Sequence, residues 1–176
     1  SGGHVVPALT FYEHLIENYE VFISTDRRGI KFINNLKFKN IKIINVPSIT
    51  NNIILFPWNI VLLILATLKS LIFLKNKKIK IIISTGGYMS LPICFAAKIL
   101  KCKIILFEPN MVIGRANSFF LKSCSSILCY SNKIINFPKK FQSKIKKIPP
   151  LLRQKLYVEN YSVERNFDDL VKILVI

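Results

Sequence analysis

The chain has 176 residues, 51% of them hydrophobic, which suffices for one ordinary domain with a sizeable core. Its 26 Lys and Arg against 9 Asp and Glu give a formal net charge of +17, so anionic surfaces should attract it. Phospholipid ranks first among such partners, and nucleic acid is not expected, because no basic and aromatic binding module is visible. The four cysteines form no C-x-x-C pair, which favours buried thiols in a cytosolic protein over a zinc site.

A helix is predicted directly after the glycine-rich start of the chain. Pro7 is typical of a first helical turn, and apolar residues follow it at helical spacing. The backbone amides of Gly2, Gly3 and His4 would then lie at a helix N-terminus, where anions bind readily. His4, held in this loop, is a candidate functional residue, whereas His14 in the middle of the helix is expected to be structural.

The next elements are predicted from short apolar runs. Residues 20–24 and 41–46 are expected to form strands, residues 27–36 a helix between them, and residues 50–57 an irregular loop. Strands that alternate with helices in this way are typical of parallel α/β sheets.

The apolar stretch 53–74 is open to two interpretations. A membrane-spanning helix needs about 20 predominantly apolar residues, but polar residues interrupt this stretch and the lysine cluster lies at one side only. We therefore expect a helix over 58–74 that packs on the sheet with one face and leaves apolar surface on the other. Phe56, Trp58 and Ile60, with neighbouring lysines, suit an in-plane contact with a bilayer. A small integral membrane protein built on this stretch is the alternative.

The most informative stretch is a strand, a glycine turn and a helix in direct succession. Residues 79–83 form a buried apolar run, Gly86 and Gly87 follow it, and a helical pattern starts at Pro92. Adjacent glycines let backbone come close to a ligand, and ligands of open α/β sheets sit past the carboxyl ends of the strands. The alternative is that the two glycines merely shape the turn.

A second unit of the same kind follows. Residues 103–107 are predicted to form a strand that ends at Glu108-Pro109-Asn110. Asn110 could hydrogen-bond a sugar hydroxyl, or it could satisfy the backbone of its own loop. The remaining predicted elements of this domain are a helix over 118–122 and strands over 126–130 and 144–148.

Three loops are thus expected to meet at one edge of a single parallel sheet, and their convergence predicts a binding cleft. The fold class is α/β with a Rossmann-like parallel sheet. Residues 1–148 are expected to form one domain, residues 149–169 a linker, and residues 170–176 the first strand of a second domain. We expect the chain to be a fragment whose first strand and second half are missing. The loops are Gly2-Gly3-His4, Thr85-Gly86-Gly87-Tyr88 and Glu108-Pro109-Asn110.

These three loops resemble motifs of the MurG family, the N-acetylglucosaminyltransferases that complete the lipid-linked peptidoglycan precursor. Ser1-Gly2-Gly3-His4 looks like the second half of the family's G-G-T-G-G-H loop. Residues 86–92 look like its G-G-Y-x-S-G-P motif. Glu108-Pro109-Asn110, with Gly114 and Asn117, looks like its E-Q-N-x-x-x-G-x-x-N motif.

The chain also departs from the family's pattern. Leu91 replaces a glycine, which narrows the turn, and Pro109 replaces Gln, which removes a side-chain amide and stiffens the backbone. The family's G-N-P-V-R ending corresponds to residues 149–153, which end on Arg153.

The resemblance implies the acceptor-side, membrane-associating half of a two-domain GT-B glycosyltransferase. The implied reaction transfers N-acetylglucosamine from UDP-N-acetylglucosamine to the muramoyl 4-hydroxyl of an undecaprenyl-pyrophosphoryl-muramoyl-peptide, with inversion at the anomeric carbon. It implies a peripheral protein at the cytoplasmic face of the bacterial inner membrane, with no cofactor and no metal. This half alone is expected to be inactive. A non-catalytic membrane-anchoring subunit that recruits a separate transferase is the alternative.

The resemblance also assigns roles to residues. His4 would be the catalytic base, since imidazole titrates near neutral pH. Backbone amides of the glycine loops would hold the acceptor's pyrophosphate or the developing charge of the leaving group. Asn110 would position the donor sugar. The full set of substrate-binding candidates is Ser1, Gly2, Gly3, Gly86, Gly87, Tyr88, Asn110 and Arg153.

Overall fold

Parallel strands flanked by helices make up the framework of the protein in a computed structural model, which describes residues 2–33, 38–46 and 56–153. The described strands form two sheets, and every pair is parallel. The smaller sheet pairs β1 (Ile23–Thr25) with β2 (Ile41–Ile43). The larger sheet has the order β3 (Ile81–Ser84), β4 (Lys103–Phe107), β5 (Ser126–Cys129) and β6 (Ile145–Lys147).

The connections between the strands carry the helices. Short 3-10 helices cover Ile30–Phe32, Tyr88–Ser90 and Lys139–Lys144. Strand, helix and strand succeed one another between β3 and β5, so the predicted parallel α/β fold is confirmed. The α-helices are α1 (Gly2–Leu15), α2 (Phe56–Asn76), α3 (Leu91–Ile99) and α4 (Arg115–Ser118).

The main core lies between α3 and the two central strands of the larger sheet. Leu106 and Ile127 on those strands are completely buried. Ala96 and Ala97 of α3 are also fully buried, and side chains this small let the helix lie close to the sheet. Parallel pairing places the carboxyl ends of β3 and β4 side by side, because Ile81 pairs with Lys103 and Ser84 with Leu106.

Several predicted boundaries were wrong. The helix predicted over 27–36 is a turn followed by the 3-10 helix Ile30–Phe32, because the Asp26 carboxylate captures the amides of the turn; residues 34–37 lie outside the described part. Pro7 lies inside α1 and not in its first turn, because the helix already begins at Gly2. Of the predicted linker only residues 149–153 are described, and the predicted strand over 170–176 lies outside.

The long helix α2 packs on the domain with one face, as predicted. Ala66, Ser70 and Leu74 are buried against the core beside α3, and these positions recur every four residues. The opposite face is apolar but exposed: Ile64 and Ile72 keep 54% and 61% of their surface accessible. By length and composition, α2 is the one described helix that could cross a membrane.

A cavity of about 610 Å³ lies under α1 between the smaller and the larger sheet. Residues of β1 line one side of it and residues of β3 the other.

The cysteines offer a test of the core. Burial raises the pKa of the Cys94 and Cys129 thiols to about 11, whereas Cys102 is partly exposed. Burial raises the pKa of Cys102 as well, but not to this extent. Since thiolate is the reactive form, the two buried thiols should react with a disulfide reagent at pH 8 about 10- to 100-fold more slowly than Cys102. Timed labelling followed by mass spectrometry measures this. Cys102→Ser should remove the fast phase, and rapid labelling of Cys94 in native protein would contradict the packing.

Candidate functional site

A cavity of about 400 Å³ opens at the carboxyl ends of β1, β3 and β4. Four segments that are far apart in the sequence build it: the start of α1, the turn after β1, the glycine loop after β3 and the loop between β4 and α4. The predicted convergence is therefore observed in the described part of the chain. The predicted site residues that line the cavity are His4, Gly86, Gly87, Tyr88 and Asn110.

Two reciprocal hydrogen bonds join the start of α1 to the end of β3. The Thr85 hydroxyl donates to the backbone oxygen of His4 at 2.8 Å, and the His4 ring nitrogen Nδ1 lies 2.7 Å from the Thr85 backbone oxygen. A carbonyl oxygen can only accept, so Nδ1 must carry the proton. In the neutral ring the lone pair then belongs to Nε2, for which the described residues offer no hydrogen-bond partner.

Gly86 and Gly87 are required by the imidazole of His4. Both adopt positive φ angles, +88° for Gly86 and +75° for Gly87, which residues other than glycine rarely adopt. A Cβ on Gly87 would lie 2.9 Å from Cδ2 of His4, and one on Gly86 would lie 3.3 Å from its Cε1. The glycines therefore shape the turn and also make room for a ring that the same turn binds.

The buried carboxylate of Glu108 organises the loop after β4. Glu108 is 3% exposed, and its Oε2 accepts from the Gly114 amide at 2.8 Å and from Asn117 Nδ2 at 3.1 Å. Its Oε1 accepts from Asn110 Nδ2 at 3.0 Å. These charge-assisted bonds fix the loop before any ligand arrives. Asn110 keeps its amide oxygen for a ligand, because its amide nitrogen is held by Glu108.

Asn117 connects this loop to the glycine loop. It is 1% exposed, its Nδ2 also donates to the Phe107 backbone oxygen at 3.1 Å, and its Oδ1 accepts a long bond from Ser84 Oγ at 3.5 Å. Ser84 Oγ in turn accepts from the Gly86 amide at 3.3 Å. Asn117 is thus a structural link between two walls of the cavity.

The remaining predicted site residues lie elsewhere. Ser1 is outside the described part, and Gly2 and Gly3 form the first turn of α1 without lining the cavity. Arg153 also does not line it; its guanidinium pairs with the buried Glu13 of α1 at 3.3 Å. The substrate-binding roles of these residues stay predictions. No group of metal-binding residues is found in the described part of the chain.

The sequence reasoning missed three charged residues that line the cavity: Asp26, Arg28 and Arg115. Asp26 and Arg28 follow β1 directly, at the same edge as the glycine loop. Their position after a strand was the available signal, but the predicted helix over 27–36 placed Arg28 in a helix, and Asp26 was not considered.

The close approach of His4 to Gly87 can be tested by substitution. Gly87→Ala should lower the free energy of unfolding of the protein by about 1–3 kcal/mol, through backbone strain and displacement of the imidazole. Gly3→Ala is the matched control, since a Cβ there meets nothing within 4 Å and the residue is helical. Urea titrations compare the two. Equal stability of both variants would contradict the described packing.

Comparison with known proteins places this site in a family. The family model described as the glycosyltransferase family 28 N-terminal domain matches residues 1–129. The crystal structure of Acinetobacter baumannii MurG superposes with a TM-score of 0.68 at 21% identity, over 88% of this chain and 44% of that one. This similarity confirms the predicted fold class, one half of a GT-B protein.

Two curated relatives carry the name UDP-N-acetylglucosamine–N-acetylmuramyl-(pentapeptide) pyrophosphoryl-undecaprenol N-acetylglucosamine transferase. The relative from Pelagibacter ubique is 46% identical over 100% of this chain and 54% of its own length. The relative from Rickettsia felis is 36% identical over 82% of this chain and 39% of its own length. The chain thus spans about half the length of these relatives. The chain belongs to glycosyltransferase family 28, in agreement with the resemblance of its three loops to the MurG family.

Proposed function

We propose that this chain is the acceptor-side half of an inverting glycosyltransferase. The enzyme moves N-acetylglucosamine from UDP-N-acetylglucosamine to the 4-hydroxyl of a muramoyl sugar carried on undecaprenyl pyrophosphate. Family membership and the names of the relatives from Pelagibacter ubique and Rickettsia felis support the proposal. A donor-binding half, for which the greater length of these relatives leaves room, would complete the enzyme.

The orientation of His4 is the observation that carries the proposal. A general base needs a lone pair directed at the proton that it removes. His4 lines the cavity, and the Thr85 backbone oxygen holds the proton on Nδ1, so Nε2 is the basic nitrogen. Because the ring is packed on Gly86 and Gly87 and bonded to Thr85, its direction is set before the acceptor binds.

The proposed step is a single displacement. The 4-hydroxyl oxygen attacks the anomeric carbon on the face opposite to UDP, and its proton passes to Nε2 of His4. The bond from the anomeric carbon to the UDP oxygen breaks, and UDP leaves with the electron pair. Configuration inverts because one bond forms as the other breaks on the opposite face.

The other loops would position the reactants. Asn110 offers its amide oxygen to a sugar hydroxyl, and Glu108 keeps it in place. Tyr88, 38% exposed, lies at the cavity wall. The amide of Gly87 would meet negative charge on a phosphate, whereas the amide of Gly86 is occupied by Ser84.

Substitution of the proposed base is the direct test. In the longer protein that includes the donor half, His4→Ala should lower kcat by about 10²–10⁴ with a modest effect on stability, since general base catalysis is lost. His14→Ala is the matched control: His14 bonds the Leu152 backbone oxygen, far along α1 from the cavity, and kcat should stay within a few-fold. UDP release measures both.

Turnover of the His4→Ala variant within a few-fold of wild type would remove His4 from this role. A protein that transfers no sugar alone but activates a separate catalytic subunit would favour the recruiting-subunit alternative.

We propose further that α2 associates with a membrane surface in the plane of the bilayer. Its outer face exposes a stripe of large apolar side chains, and Lys75, Lys77 and Lys78 lie at its carboxyl end. Such a combination is typical of interfacial helices that bind anionic lipid. The stripe consists of Trp58, Val61, Ile64, Leu65, Leu68 and Ile72.

Vesicle binding tests this surface. Charge reversal to Glu at Lys75, Lys77 and Lys78 should weaken binding to vesicles with anionic lipid by at least roughly 100-fold, since the loss of each lysine near the surface alone costs about 1 kcal/mol. Charge reversal at Lys146 and Lys147, on the edge strand β6, is the control for net charge. The loss of binding is compared per reversed lysine, because the control changes two lysines and not three. Sedimentation with vesicles measures binding. An equal loss of vesicle binding per reversed lysine in both variants would contradict specific binding through the outer face of α2.

A further inference from the structure

A charged pair at the carboxyl end of β1 has no role in the chemistry derived above. Asp26 is 3% exposed and follows Thr25, the last residue of the strand. Its Oδ1 accepts the backbone amides of Arg28 at 3.0 Å and Gly29 at 2.8 Å. The backbone of the turn therefore fixes the position of this carboxylate.

The second oxygen of Asp26 holds the side chain of Arg28. Oδ2 accepts from Nε of Arg28 at 2.7 Å and lies 2.6 Å from its Nη2. Burial by itself raises the pKa of Asp26, but the hydrogen bonds from Gly29 and Arg28 outweigh burial and lower the net pKa below its usual value. Asp26 is therefore an anion at neutral pH and anchors one edge of the guanidinium.

The guanidinium of Arg28 is held by Asp26 but keeps unused hydrogen-bond donors. Arginine has five N–H donors, and within the described residues Arg28 donates through its side chain to Asp26 alone. The side chain remains 52% exposed. The bonds to Asp26 restrict the rotation of the Arg28 side chain, so a planar donor group is held in place with part of it facing solvent.

The guanidinium of Arg28 lies at the cavity that His4 also lines. Arg28, Asp26 and Gly87 all line this cavity. The other acidic side chain that lines it, Glu108, is engaged by Asn110, Gly114 and Asn117. A free guanidinium beside an occupied carboxylate favours an anionic ligand, and its fork matches phosphate oxygens.

We propose that Arg28 binds a phosphate oxygen of a pyrophosphate group in the cavity, and that Asp26 is the positioning residue that orients its guanidinium. The inference rests on the proposed function, which supplies two sources of this chemistry: the lipid-linked acceptor and the nucleotide-sugar donor. Arg28 contributes binding and not proton transfer, so its loss should affect KM far more than kcat.

Steady-state kinetics on the longer protein test the proposal. Arg28→Ala should raise the KM of one pyrophosphate-containing substrate about 10- to 100-fold, the loss of one charge-assisted pair, with kcat within about threefold. An elevated acceptor KM identifies the lipid-linked source, and an elevated donor KM identifies the nucleotide sugar. Arg28→Lys should recover part of the loss, because a lysine keeps the charge without the fork.

Arg27→Ala is the matched control. Arg27 is the adjacent, exposed arginine, carries the same charge and does not line the cavity, so both KM values should stay within about twofold. Asp26→Asn should raise the same KM as Arg28→Ala and add little to it in the double variant, because both act through one guanidinium. Unchanged KM values in Arg28→Ala, or equal changes in Arg27→Ala, would overturn the proposal.

A separate measurement distinguishes failure of this inference from failure of the proposed function. If the wild-type protein transfers no N-acetylglucosamine, calorimetric titration with inorganic pyrophosphate replaces the kinetics. Weaker binding in Arg28→Ala than in Arg27→Ala would support the anion site independently of the reaction. Equal binding in the two variants would overturn it.

Discussion

The pair of hydrogen bonds between His4 and Thr85 is the contact on which the site depends. It joins residues 81 positions apart in the sequence, the start of α1 and the loop after β3. Each bond is worth only about 0.5–1.5 kcal/mol in net stability, so their larger effect is on geometry. They bring the imidazole onto Gly86 and Gly87, and they decide which ring nitrogen carries the proton.

In the rest of the cavity, buried carboxylates hydrogen-bond and orient the neighbouring polar side chains that line it. Glu108 and Asp26, each 3% exposed, accept backbone amides, and each also holds a polar side chain that lines the cavity. The side chains that they hold, Asn110 and Arg28, keep unused polar atoms. The two buried carboxylates therefore fix the orientation of Asn110 and Arg28, and their own oxygens are already hydrogen-bonded. Such preorganisation lowers the cost of ordering side chains on binding.

Much of this arrangement could be predicted from the sequence, because it depends on local patterns. The apolar run before Gly86 and the one before Glu108 identify strands, and parallel pairing brings their ends to one edge. The grouping of Gly87 and Asn110 in one cavity follows from that pairing, whereas His4 is held there by its bonds to Thr85.

The details that failed depend on tertiary contacts. The capture of turn amides by Asp26 replaced the helix predicted after β1 and thereby concealed Arg28 as a cavity residue. Periodicity could not show that the glycines make room for an imidazole, since the ring belongs to the start of α1, far from the glycines in the sequence. Likewise, only the folded chain pairs Arg153 with the buried Glu13.

The tautomer of His4 tests the central claim most directly. Nitrogen-15 NMR of the imidazole distinguishes a protonated ring nitrogen from one with a lone pair, and the His4 signals can be assigned by their loss on substitution. The account predicts that the neutral ring carries its proton on Nδ1, bonded to the Thr85 oxygen, and leaves Nε2 unprotonated. A neutral His4 with the proton on Nε2 would contradict it, because the cavity would then contain no basic nitrogen where the proposed reaction needs one.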